Sequence, residues 1–180
     1  NNNTNNDNNI SVIKLLKAGI NMEYNILYSD ISHNGRYIAV GNNNHFKIFQ
    51  ISADRKHLKL TKIMDKENVG VTTLQFVRHK KKTYCIITPI IIDKNETELD
   101  GNIVILQLKK TGIKVYKKIN LKYIGKSMIS SIVVNEKFTL MAVVATQLKK
   151  AYIINIKSTK IFYEIPHNLN NNICCIKFKE

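Results

Sequence analysis

Apolar residues in this chain fall into short runs separated by turn-forming residues, the pattern of strands rather than helices. Tyr24 to Ile31 is the first run. His33-Asn34-Gly35-Arg36 then predicts a tight turn, because Asn-Gly tolerates positive φ. Tyr37 to Gly41 predicts a second strand, and Asn42-Asn43-Asn44 turns the chain into a third at His45 to Ile51. Leu58 to Ile63 closes this unit. A second unit follows with strands expected at Val71–Val77, Tyr84–Ile92, Asn102–Leu108 and Gly112–Leu121. A third is expected at Met128–Val134, Phe138–Ala145, Ala151–Ile156 and Thr159–Ile165, and Ile173 to Phe178 reads as the start of another. Only Ile10 to Leu16, with Lys14 and Lys17, leaves a choice between a short helix and an edge strand.

Ile31, Phe76, Val134 and Phe178 hold equivalent places, 45, 58 and 44 residues apart. Four strands at such a period predict the blades of a β-propeller. The fold class expected is all-β: about three four-stranded antiparallel blades, near residues 26–63, 71–121 and 128–165, plus the first strand of a further blade at 173–180. The longer second unit is explained by its polar loop, Asp93 to Gly101, and by the connection from Leu121 to Ser127. Phe46-Lys-Ile-Phe-Gln-Ile51 and Ile103-Val-Ile-Leu-Gln-Leu108 are more apolar than strict alternation requires, as expected of blades packed on both faces. Three blades and a strand do not close a ring, since propellers typically have about four to eight blades. With its opening Asn-rich stretch and no initial Met, residues 1–20 read as a low-complexity tail and 21–180 as part of a longer propeller.

Composition changes this picture little. Hydrophobic residues make up 44% of the 180, enough for a core, while Gly (7) and Pro (2) are scarce. The net charge of +15 suits a nucleic acid or an anionic membrane. Arg occurs only at positions 36, 55 and 78, whereas Lys, Asn and Ile are abundant, as A/T-rich codons would produce. The lysines also sit at strand ends and turns (Lys80-Lys81-Lys82, Lys109-Lys110, Lys149-Lys150), and no aromatics interleave with them for base stacking. Nucleic acid is therefore the less favoured partner. Cys85, Cys174 and Cys175 lie in apolar runs and read as free buried thiols, which suits a reducing compartment such as the cytosol. No run reaches the roughly 18 apolar residues of a membrane-spanning helix.

No enzyme chemistry is readable. The five histidines are dispersed, zinc-type Cys and His pairs are lacking, and there is no glycine-rich phosphate cradle. Asp93, Glu96, Glu98 and Asp100 lack the spacing of a calcium loop and read as solvated. Tyr24, Tyr28, Tyr37 and Phe46 read as blade packing. No catalytic, cofactor-binding or metal residue is assigned.

Asp30-Ile-Ser-His-Asn-Gly-Arg-Tyr-Ile-Ala-Val-Gly41 resembles the WD-repeat phrase in which Ser-Pro-Asp-Gly-Arg joins the first two strands. The Trp-Asp positions are occupied instead by Phe49-Gln50, Leu106-Gln107 and Ile154-Asn155, and His167 stands where many repeats place a structural His. Over residues 26–180 the order of features is similar to the Sec-twelve family, which includes the prolactin regulatory element-binding protein. Three features carry this. Tyr84-Cys-Ile-Ile-Thr-Pro-Ile-Ile-Ile92 opens a long loop before the third strand at Asn102. A compact unit spans Met128 to Ile154. Thr159-Lys-Ile-Phe-Tyr-Glu-Ile-Pro-His167 leads into Ile173 to Phe178.

That resemblance implies a guanine-nucleotide exchange factor, acting by binding, for the Sar-type small GTPase that starts COPII coat assembly in vesicle transport. It implies a propeller on the cytosolic face of the endoplasmic reticulum, with the membrane anchor in a segment outside this sequence. The family's active loop, ordered by potassium, belongs to a first blade that is not in this sequence. Within these residues no cofactor is expected. The partner-face candidates lie in loops joining second and third strands: Asn42, Asn43, Asn44, Lys149 and Lys150. Two alternatives stand beside this: a cytoplasmic WD-repeat protein-interaction scaffold, and an RNA-associated propeller such as a tRNA methyltransferase accessory subunit.

Overall fold

The computed structural model describes residues 25–53, 58–93, 95, 98–121, 124, 129–166 and 176–178. They form three four-stranded antiparallel sheets, each a meander in chain order. The first holds β1 (Tyr28–Ile31), β2 (Tyr37–Gly41), β3 (His45–Ala53) and β4 (Leu58–Glu67). The second holds β5 (Val69–His79), β6 (Lys82–Ile91), β7 (Ile103–Lys109) and β8 (Gly112–Ile119). The third holds β9 (Ile129–Val134), β10 (Leu140–Ala145), β11 (Lys150–Asn155) and β12 (Ile161–Pro166). The all-β architecture of three antiparallel blades is thus present. The tail at 1–20, the Ile10–Leu16 segment, Tyr24, His167, Cys174 and Cys175 lie outside the described residues. Of the expected further strand only 176–178 are described, and they are not in a strand.

Blade boundaries differ most between the first two sheets. β4 continues to Glu67 rather than ending at Ile63, and Asn68 alone, at φ 65°, joins it to β5. Met64-Asp65-Lys66-Glu67 is too polar to announce a strand. On an outermost strand, however, polar side chains need no burial, and Asp65 is held by Lys47 at 3.6 Å and Lys62 at 2.5 Å.

The blades stack face to face through two apolar layers. Ala39, Phe46 and Ile48 of the first blade meet Val69, Val71, Cys85, Ile87, Val104 and Leu106 of the second. Ile86, Ile103, Ile105 and Ile119 of the second meet Ile129, Ile132, Met141, Val143 and Ile154 of the third. Successive residues of β7 therefore alternate between two neighbours, with every residue from Ile103 to Leu108 buried. A central blade has no solvent face to carry polar residues. Tyr37 and Phe46 are buried, and Tyr28 packs on the same layer, in the packing role expected of them.

Two local features repeat. Each pairing of a third with a fourth strand carries a register shift at the same place: Ile48/Phe49, Ile105/Leu106 and Ile153/Ile154. Each shift falls immediately before the residue that stands at the Trp position: Phe49, Leu106 and Ile154. The β1–β2 and β9–β10 turns also share one hydrogen-bond scheme. In the first, Ser32 accepts the Gly35 amide on its carbonyl and the Tyr37 amide on its hydroxyl. In the second, Asn135 accepts the Phe138 amide on its carbonyl and the Leu140 amide on its side chain. Gly35 (φ 65°) and Phe138 (φ 54°) occupy the same left-handed place. Phe138, expected within a strand, is thus a turn residue.

Candidate functional site

The strands run so that the blades share two ends. The Val71 amide donates to the Asn42 carbonyl at 2.8 Å, which puts the start of β5 beside the β2–β3 loop. The Ile92 amide donates to the Asn68 carbonyl at 3.0 Å, so the β6–β7 loop joins them. At the opposite end, the His79 ring at the close of β5 stacks on Phe138 of the β9–β10 turn, with centroids 5.3 Å apart. The first strands of all three blades therefore run in parallel. Loops joining second to third strands share one end, and the remaining hairpin turns share the other.

The first end carries the candidate residues. Asn42 is only 5% exposed and faces inward. Its side-chain oxygen accepts the Asn44 and His45 amides at 2.8 Å each, an Asx turn that closes the loop, and its Nδ2 donates to the Asn25 carbonyl. Asn43 and Asn44 are exposed. Gly70 lies directly under Asn43, so close that a Cβ there would sit 1.8 Å from the Asn43 carbonyl oxygen. Asn42 thus shapes the loop, while Asn43 and Asn44 are the groups it presents.

Lys149 ends the β10–β11 connection, whose 3-10 turn spans Thr146–Leu148, and Lys150 opens β11. Lys149 is exposed and ends that turn in the left-handed conformation, its amide donating to the Thr146 carbonyl. Lys150 is half-buried and ion-paired with Glu164 of β12. The Glu164 hydrogen bond, then its charge, raises the Lys150 pKa above the ordinary lysine value. Lys149 is the cation this loop presents outward.

Sequence reasoning missed two supports of this end. Lys66 of β4 pairs with Glu98 of the β6–β7 loop at 2.9 Å, tying the first blade to the second. Asn102 accepts the Leu121 amide on its side chain at 2.7 Å. Neither partner is close in sequence, so no local pattern marks them. In the same loop Leu99 is fully buried and anchors the polar residues around it.

Among the described residues no three His, Cys, Asp or Glu side chains gather as a metal site would require. Burial, then the Asp30 carboxylate, pushes the Cys85 thiol far above its ordinary value, which leaves it a packing residue rather than a nucleophile. Among the described residues no helix is long and apolar enough to cross a membrane. What the arrangement provides is a set of braced loops presenting side-chain amides and a lysine at one end. No protein-family model matches the chain, and no curated protein matches it.

Proposed function

We propose that these blades belong to a partner-binding propeller, and more narrowly to an exchange factor for the Sar-type GTPase of COPII assembly. The observation that carries the reading is the exposure of Asn43, Asn44 and Lys149 on loops of one end, over a junction braced by Asn42 and Gly70. Such loops bind a folded protein with little loss of conformational entropy. The choice of GTPase rests on the resemblance alone. On this reading the blades work by binding, and they support an active loop contributed by the family's first blade. That loop takes potassium in the family. Attachment to the endoplasmic reticulum falls to a segment outside residues 1–180, with the blades in the cytosol.

The test is GDP release from the Sar-type GTPase by the intact propeller. The Lys149→Glu/Lys150→Glu variant is expected to change the association rate several-fold, as charges at the rim of an interface do. Unchanged release would remove the partner from this end. Binding without any release would favour the scaffold reading.

A further inference from the structure

The end opposite the Asn42–Asn44 loop is strongly basic. Every described turn there carries a cation: Arg36 in β1–β2, Lys80 and Lys81 in β5–β6, Lys110 in β7–β8, Lys137 in β9–β10, and Lys157 in β11–β12. Glu136 is the one acid in these turns among the described residues. The described ion pairs all lie elsewhere, joining Lys47 and Lys62 to Asp65, Lys66 to Glu98 and Lys150 to Glu164. Asp65, Glu98 and Glu164 are thus paired away from this end, which keeps a large excess of positive charge. Folding has separated lysine runs that look alike in sequence: Lys80–Lys82 and Lys109–Lys110 go to this end, Lys149–Lys150 to the other.

We propose that this end is a docking surface for an anionic membrane, holding the propeller against phospholipid headgroups by charge. Three observations suit a lipid surface. Most of these cations are ammonium groups, point charges suited to a diffuse anionic surface. Phe162, two residues past the β11–β12 turn, is 73% exposed, an apolar ring that can enter the boundary between headgroups and acyl chains. The cations are spread over the ends of three blades rather than along one groove. Arg36 and Lys110 also line a cleft of about 610 Å³ between the first and second blades, with Asn34, Tyr37 and Gln50, where a headgroup phosphate can enter. Polybasic surfaces of this kind gain about fivefold in membrane partition per lysine at the surface. The surface is distinct from the proposed GTPase end and leaves that end facing away from the bilayer.

The experiment is co-sedimentation of the intact protein with phosphatidylcholine vesicles, with and without phosphatidylserine, at low and physiological salt. Binding is expected only with phosphatidylserine and is expected to weaken as salt rises. Lys81→Glu/Lys110→Glu should lower partition by about 25-fold or more, and Lys137→Glu, on a different blade, should lower it independently. Lys149→Glu, at the other end, should leave it unchanged, and unfolding midpoints of all variants should match the parent. Equal binding to neutral vesicles overturns the proposal. So does an unaltered affinity in the properly folded double variant and in Lys137→Glu. Retention on polyuridine without vesicle binding also overturns it, and would assign the face to RNA.

Discussion

The Asp30 carboxylate accepts a hydrogen bond from the Phe76 amide at 2.6 Å, across the boundary between two blades. Blades stack through side chains, so an amide on the free edge of an innermost strand has no ladder partner. Asp30 supplies one, and its other oxygen accepts the Ile31 amide at 2.8 Å. Asp30→Ala strands the Phe76 amide and should cost about 1.5–3 kcal/mol. Asp30→Asn keeps an acceptor without the charge and should cost roughly half as much. Urea midpoints give both values, and equal losses would mean that the carboxylate acts through charge rather than as an acceptor.

The Gly70–Asn43 contact makes the first junction intolerant of a methyl group. A Cβ at Gly70 meets backbone at 1.8 Å, and a peptide cannot rotate away as a side chain can. Gly70→Ala should cost about 3 kcal/mol and shift the Asn43–Asn44 loop. A Cβ at Gly41 would instead meet the Val71 Cγ2 methyl at 2.4 Å, so Gly41→Ala should cost less. Thermal midpoints for the pair test the ranking, and a milder Gly70→Ala would sink the account of that junction.

Asn42 shows how much of the proposed end was legible. The triple Asn announces a turn, and the turn is there. Which Asn shapes it and which face out depends on the Asx bonds of Asn42, and sequence cannot rank three identical residues. Strands with apolar cores, such as β2 and β7, were plain because burial on both faces leaves almost no polar residue to interrupt them, Gln107 of β7 being the exception. The second half of β4 was hidden because an outer strand tolerates Asp65-Lys66-Glu67. The separation of the two ends by charge was hidden for a topological reason. Alternate hairpins point in opposite directions, so identical lysine runs reach different surfaces.

Phe138 is the residue whose role sequence misjudged most. It stands where the first blade has Gly35, and accepts a positive φ in exchange for stacking on Tyr84 at 4.7 Å and His79 at 5.3 Å. Phe138→Ala loses those contacts between the second and third blades and keeps the backbone strain, at about 3–5 kcal/mol. Phe138→Gly loses the same contacts but relieves roughly 1 kcal/mol of left-handed strain. Gly should therefore be the more stable of the two, contrary to the usual order in a strand. Denaturant titration of both variants decides it, and Ala ranking above Gly would mean that the left-handed turn is not held.

Asp65 gives the first blade a dependence on pH. Burial alone would raise its carboxyl, but the Lys62 hydrogen bond and the Lys47 and Lys62 charges outweigh it and hold the pKa below the ordinary Asp value. The folded pKa is thus lower than the unfolded one near 3.9. The stabilisation is fully present above that value and is lost as pH falls from it through the folded pKa. Lys62 is largely exposed, so screening limits the effect to about 1 kcal/mol or less. Asp65→Asn should be less stable than the parent by that amount at pH 7, with the gap closing below about pH 4. A gap that stays constant from neutral pH to pH 3 would place the loss in packing rather than in the charge of Asp65.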